Sequence, residues 1–305
     1  MKAALPTCIG VIHLPALPGS PGAQALDAVS SLQRAGASAV KEAMILKKTG
    51  FDGIIIENFG DAPFYPTSVP PETIVAFSVI AAAVREAVNL PLGINVLRND
   101  ARSALAIAAV TGANFIRVNV LSGVAATDQG LIEGKAYELI RERDRLQARN
   151  IAIIADIHVK HARSLSSESI ELAIEETAGR GGADAVIITG STTGRAPDEN
   201  ELARAISAAS KIKVPLYIGS GLSAEGFETL PSVPIGMIVG SALRKGGKAG
   251  APLEISRMRQ FLRAHARWKS TWNGRKIARK SRPASKTSGT KNHGKSRKTA
   301  SQASR

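Results

Sequence analysis

Asp156, His158 and Lys160 occupy alternate positions at the end of an otherwise aliphatic run, Ile151-Ala-Ile-Ile-Ala-Asp-Ile-His158. In an extended chain alternate side chains share a face, so a carboxylate, an imidazole and an ammonium project together. That set can accept and relay protons and neutralise developing charge. Arg117 and Asn119 repeat the pattern at the end of Phe115-Ile-Arg-Val-Asn-Val120. His13 ends the run 7–13, Glu57 and Asn58 end 53–58, and Asn95 stands near the end of 91–96. Thr189 ends 184–189 and Gly190 follows it. An unpaired charge in an apolar setting is costly to bury, so the charged members need partners or a ligand. The residues assign Asp156 or Glu57 as general base and His158 as acid/base. Lys160 or Arg117 then stabilises negative charge. Plainer readings stand beside these: His13 as a satisfied core histidine, Glu57 as half of a structural ion pair with Arg117, Lys160 as a solvated loop lysine.

Two later runs end alike, Val214-Pro-Leu-Tyr-Ile-Gly-Ser-Gly-Leu222 and Ile235-Gly-Met-Ile-Val-Gly-Ser-Ala-Leu243. Glycine lets a backbone approach a ligand closely, and clustered N–H groups attract anions. Gly219, Ser220, Gly221, Gly240 and Ser241 are therefore expected to hold a phosphate through backbone amides. His13, Asn58, Asn95, Asn119, Thr189 and Gly190 complete the expected substrate-binding set. The chain has neither a Gly-x-Gly-x-x-Gly after an early strand nor a Walker-type Gly-Lys-Ser/Thr, and its His and carboxylate spacing matches no zinc motif. No cofactor or metal is expected, although His13, Glu57, Asp156 and His158 can converge on an oxygen-preferring cation.

These tips need elements to position them. Eight short apolar runs start roughly 20 to 45 residues apart and alternate with helix-like segments. The helical expectations are one or two helices between Ala25 and Leu46, divided at Gly36, one opened by Pro70-Pro71, and one near 100–111. Further helices are expected from Gly130 to Gln147 capped by Thr127 or Asp128, then near 167–179, 198–209 and 252–265. Continuous hydrophobicity marks strands buried on both faces of a parallel sheet. Matching Gly-Ser ends on the last two runs favour a closed (β/α)₈ TIM barrel over an open doubly wound sheet, because that barrel places its phosphate site there.

The composition agrees with one large domain plus an appendage. The chain has 305 residues, is 44% hydrophobic, and has one cysteine, Cys8, which excludes an internal disulfide. No run is apolar enough for a membrane span or a signal peptide, so a cytoplasmic protein is expected. The net charge of +15 is concentrated at one end: residues 269–305 carry 12 Lys and Arg and no acid, leaving 28 basic and 25 acidic residues, +3, in residues 1–268. The domain expectation is a barrel over 1–268 and a disordered basic tail over 269–305. Such a tail binds nucleic acid or an anionic membrane non-specifically.

Ile9-Gly-Val-Ile-His-Leu-Pro-Ala-Leu-Pro-Gly-Ser-Pro21, Gly53-Ile-Ile-Ile-Glu-Asn-Phe-Gly-Asp-Ala-Pro-Phe64, Phe115–Asn119 with Thr127-Asp-Gln-Gly130, and Asp156-Ile-His-Val-Lys-His161 together resemble the BtpA/SgcQ family over residues 7–265. The resemblance implies a barrel like those that bind ribulose phosphate. One cyanobacterial branch of the family is associated with photosystem I assembly at the thylakoid membrane. The leading reading is thus an enzyme or binding barrel for a phosphorylated small molecule, a sugar phosphate or nucleotide-like compound, in a chain that can form homo-oligomers. Its rival is an assembly or regulatory factor without turnover.

Overall fold

A computed structural model describes residues 4–23, 26–157, 162–165, 169–190 and 197–280, those beyond 272 by backbone alone. Eight parallel strands close into a barrel: β1 (Cys8–His13), β2 (Gly53–Glu57), β3 (Leu92–Asn95), β4 (Phe115–Val118), β7 (Ala152–Asp156), β9 (Ala185–Ile188), β10 (Leu216–Ile218) and β11 (Gly236–Val239), with β11 pairing back onto β1. The three remaining strands, β5 (Val124–Thr127), β6 (Gly130–Glu133) and β8 (Ala162–Ser164), form a small antiparallel sheet that follows the tips of β4 and β7.

Period 2 sorts the barrel strands into an inward and an outward set. Ile9, Val11, Ile55, Phe115, Ile154, Ile187, Tyr217 and Ile238 are among the buried residues that pack as a separate core inside the barrel. The larger core lies between the strands and the surrounding helices. Phe115 and Tyr217 fill space that only glycine concedes, since a Cβ on Gly93 or Gly236 would strike their rings. One inward step beyond this apolar plug lie His13, Glu57, Asn95, Arg117, Asp156, Thr189, Gly219 and Gly240. The plug blocks the bore, so the polar layer is reached from the C-terminal end of the strands, where barrels of this architecture carry function.

The helices are α1 (Ala28–Thr49), α2 (Pro71–Ala87), α3 (Ala101–Thr111), α4 (Ala136–Arg145), α5 (Ile170–Ile174), α6 (Glu199–Lys211) and α7 (Ile255–Lys280). α1 is a single helix that runs through Gly36. It starts at Asp27, whose side chain accepts from Ser30 N–H, and stops at Gly50 with φ +106. The helix expected from Gly130 begins only at Ala136, because Thr127 turns the chain instead of capping it. Its hydroxyl accepts from Gln129 N–H and donates to the Gly130 carbonyl, and β5 and β6 pair across that turn. Short 3₁₀ turns, Glu225–Glu228 and Ser241–Leu243, follow β10 and β11.

The ordered body also continues past residue 268. α7 carries Trp268, whose indole N–H donates to the Pro231 carbonyl, and Trp272, which packs beside it at 6.1 Å between ring centroids. Two aromatic rings one helical turn apart have enough apolar area to hold the helix on the core. Residues 281–305, most of the expected tail, lie outside the described residues. No helix among the described residues is long and apolar enough to cross a membrane.

Candidate functional site

Arg117 is the hub of the polar layer. From its inward position on β4 it donates Nε to Asp156 Oδ1 at 3.1 Å, Nη2 to Asp156 Oδ2 at 3.0 Å, and Nη1 to Glu57 Oε1 at 3.2 Å. Burial alone would lower its pKa, but the charges and hydrogen bonds of Asp156 and Glu57 outweigh that and raise it above the usual guanidinium value. Arg117 is thus the cation between the two carboxylates. Among the described residues no three His, Cys, Asp or Glu side chains are grouped to hold a metal ion.

The two carboxylates differ. The Asp156 side chain is fully buried, and its oxygens accept from Arg117 and, at 2.9 Å, from Asn119 Nδ2. Asn119 is held in turn by Asn95, which donates to Asn119 Oδ1 and to the Arg117 carbonyl, both at 3.1 Å. Asn95, Asn119 and Asp156 therefore form a chain of buried groups that aims Arg117. They were expected at the ligand or as the base; Asn119 and Asp156 also line a second cavity, of about 40 Å³, with Ile157, Ala162 and Ser164, and among the described residues the buried Asn95 Oδ1 has no hydrogen-bond partner. Glu57 stands at the front: with His13, Phe59, Arg117 and the two Gly-Ser turns it lines a cavity of about 70 Å³. Of the two expected bases, Glu57 lines the cavity of the Gly-Ser turns and Asp156 the smaller one beside β5 and β8.

The Gly-Ser turns supply the other wall. Gly221 has φ +75, a conformation that glycine adopts without strain. Among the described residues the N–H groups of Ser220, Gly221, Gly240 and Ser241 have no protein acceptor, and the buried Ser220 hydroxyl has no hydrogen-bond partner. A buried hydroxyl without a partner calls for a ligand or water. Gly219 departs from expectation: its N–H donates to the Ile188 carbonyl at 2.9 Å, so it completes the barrel ladder. Its missing Cβ matters more, since a side chain there would crowd Ile187 and Thr189 and approach Arg117. A Cβ on Gly240 would lie 3.2 Å from His13 Nε2, which puts the imidazole against the same turn. His13 Nδ1 accepts the Gly250 N–H at 3.2 Å, so the neutral ring carries its proton on Nε2.

Asn58 is spent elsewhere: it accepts from Leu97 N–H at 2.7 Å and donates to Asp61 at 3.0 Å, fastening the loop after β2 to the loop after β3. Asp61 also accepts from Leu17 N–H at 2.8 Å, and burial raises its pKa. Thr189 is buried beside Gly219, and Gly190 is buried after it. His158 and Lys160 lie outside the described residues.

Sequence reasoning missed Arg98. It is 9% exposed in the loop after β3. Burial lowers its pKa, while Asp156, Asp128 and Glu57 act to raise it and Arg117 to lower it, so its charge reaches the same cluster. Its position three residues beyond Asn95, just past a strand tip, was the available signal. Arg244 was missed as well: it is 1% exposed, pairs both Nη atoms with Glu42 at 2.8 Å, and donates to the Ala251 and Val11 carbonyls. That pairing fixes the loop whose Gly250 caps His13.

Comparison with known proteins matches residues 5–267 to the model of the BtpA family. An uncharacterized protein of Pyrococcus horikoshii is 48% identical over 82% of this chain and 92% of its own length. The photosystem I biogenesis protein BtpA of Synechocystis is 44% identical over 85% of this chain and 87% of its own. Among solved structures, KGPDC from Streptococcus mutans superposes with a TM-score of 0.51 at 12% identity, over 87% of this chain and 99% of that one. Phosphoribosyl anthranilate isomerase from Thermus thermophilus gives 0.50 at 9% identity, over 86% and 99%. At those identities the likeness establishes the TIM-barrel fold alone.

Proposed function

The chain belongs to the BtpA family, and we propose that its barrel binds a phosphorylated small molecule, with the phosphoryl group in the Gly-Ser nest and the remainder over Glu57 and Arg117. The observation that carries this reading is the buried Ser220 hydroxyl, which has no partner among the described residues, set among amide N–H groups that have no acceptor there either. Four N–H donors and a hydroxyl around one small cavity suit an anion with several acceptor oxygens. His13 adds a donor at Nε2 on the same side.

Glu57 acts as the general base in this scheme. Arg117 holds one of its oxygens and supplies positive charge for an anion that develops beside it. Asp156, Asn119 and Asn95 position Arg117. His158 and Lys160 follow β7 in sequence and are assigned to acid/base work and charge stabilisation.

A second reading follows from the Synechocystis relative, whose name refers to photosystem I biogenesis: the pocket takes a regulatory ligand and nothing is turned over. The experiment is calorimetric binding of a sugar phosphate and the corresponding plain sugar to the wild-type chain and to Gly221→Val. Wild type should prefer the phosphorylated compound. The variant, which puts a branched side chain where φ is +75, should lose that affinity by about tenfold or more, since a charge-assisted hydrogen bond is worth about 1.5–3 kcal/mol. Equal wild-type affinity for both compounds ends the phosphate reading. Binding without turnover of a bound compound by wild type, together with unchanged binding by Glu57→Gln, favours the regulatory one.

A further inference from the structure

We propose that a second anion subsite lies across the His13–Phe59 ring pair from the Gly-Ser nest, so that the ligand carries an anionic group at each end; this rests on the phosphate reading above. The two rings sit with centroids 4.5 Å apart and planes inclined by 36°. Both line the small cavity that contains Ser220, and both also line a groove of about 620 Å³ that opens on the other side, toward α1. The rings are therefore a shared wall between two spaces.

The far side of the groove is a stripe of α1: Arg34, Ser38, Lys41, Glu42 and Ile45. Spacings of three and four residues put these side chains on one helical face. Glu42 is the acid of that stripe, and its charge is already taken by Arg244, which meets it with two hydrogen bonds of 2.8 Å from a fully buried position. Among the described residues no carboxylate pairs with Arg34 or Lys41. The groove thus presents two uncompensated cations next to an aromatic wall, while a buried ion pair removes the one negative charge that would oppose an anion.

The loop after β11 lines the groove beside the two rings. Gly250, at φ +78, lies against Phe59, where a Cβ would be 3.3 Å from the ring, and its N–H bonds His13 at 3.2 Å. Arg244 holds the same loop through the Ala251 carbonyl at 2.6 Å. The wall and the loop are built into the fold, whereas the two cations are on flexible stems that can follow an anionic group in the groove. The ligand class is a sugar phosphate with a second phosphoryl or carboxylate group.

The test is calorimetry at low salt on the full chain with four compounds: glucose, glucose-6-phosphate, 6-phosphogluconate, which adds a carboxylate, and fructose-1,6-bisphosphate, which adds a phosphoryl group. At least one doubly anionic probe should bind about tenfold more tightly than glucose-6-phosphate. Arg34→Gln with Lys41→Gln should abolish that gain and leave glucose-6-phosphate affinity within about twofold. Lys47→Gln with Lys48→Gln, on α1 but outside the groove, should change neither. A gain confined to the bisphosphate identifies a phosphoryl subsite, and a gain with the acid alone identifies a carboxylate subsite. The proposal is overturned if neither doubly anionic probe gains, or if the control pair loses as much as the groove pair. Glucose-6-phosphate binding no better than glucose marks failure of the nest itself, and the second subsite falls with it.

Discussion

Replacing Arg117 with Met tests whether one buried guanidinium holds the polar layer together. The side chain is 4% exposed and makes three hydrogen bonds to two carboxylates, of which Asp156 has no exposed side-chain surface. Methionine fills similar space but leaves Asp156 and Glu57 without their cation. Removing one partner of a buried pair costs about 3–5 kcal/mol, because the other charge is left uncompensated. For a domain of this size each kcal/mol lowers the melting midpoint by about 2–4 °C, so a fall on the order of 10 °C is expected by thermal and denaturant unfolding. Adding Asp156→Asn to the same chain should recover stability, since it removes one of the stranded charges; two independent losses would add. A deficit below about 1 kcal/mol, or no recovery on adding Asp156→Asn, would refute the role given to Arg117.

Three other outcomes follow from separate parts of the molecule. Ending the chain after Lys269 should lower the melting temperature measurably, because it removes Trp272 and the Thr271–Ser232 hydrogen bond, whereas ending it after Lys280 should mainly weaken salt-sensitive binding to anionic vesicles or DNA. Cys8 is buried, and burial first and Asp52 second raise its thiol pKa well above the usual range, so it should react with a thiol reagent only after denaturation; fast labelling of the native protein would contradict that packing. Arg244→Met should destabilise the fold by about 3–5 kcal/mol, as for any broken buried pair, and should weaken phosphate-ligand binding as well, because it releases the loop that holds His13; a normal binding constant in a folded Arg244→Met protein would separate the loop from the site.

The part of the site visible in the sequence is the part set by strand periodicity. His13, Glu57, Asn95, Arg117, Asp156, Thr189, Gly219 and Gly240 fall at strand tips, and alternation alone puts them in one inward layer. Their division of labour was not visible. Asp156 and Glu57 look equivalent in sequence, but they sit on opposite sides of Arg117: Asn119 holds Asp156 beside one cavity, and Glu57 lines the one formed by the Gly-Ser turns. Arg244 and Glu42 are 202 residues apart, and no local signal joins them. The Gly130 region read as helix because its apolar residues fit either period, and the turn at Thr127 decides for a hairpin. Trp272 was assigned to the tail from the composition around it, although a tryptophan one helical turn beyond Trp268 marks a continuing apolar face.

The central claim is that a phosphoryl group sits in the Gly-Ser nest. Crystals soaked in arsenate, a phosphate analogue whose anomalous scattering locates it without ambiguity, measure this directly. The account predicts a peak within hydrogen-bond distance of the Ser220 hydroxyl and the N–H groups of Gly221 and Ser241. An empty nest at saturating arsenate, or a peak only over the surface cations of α1, would contradict it.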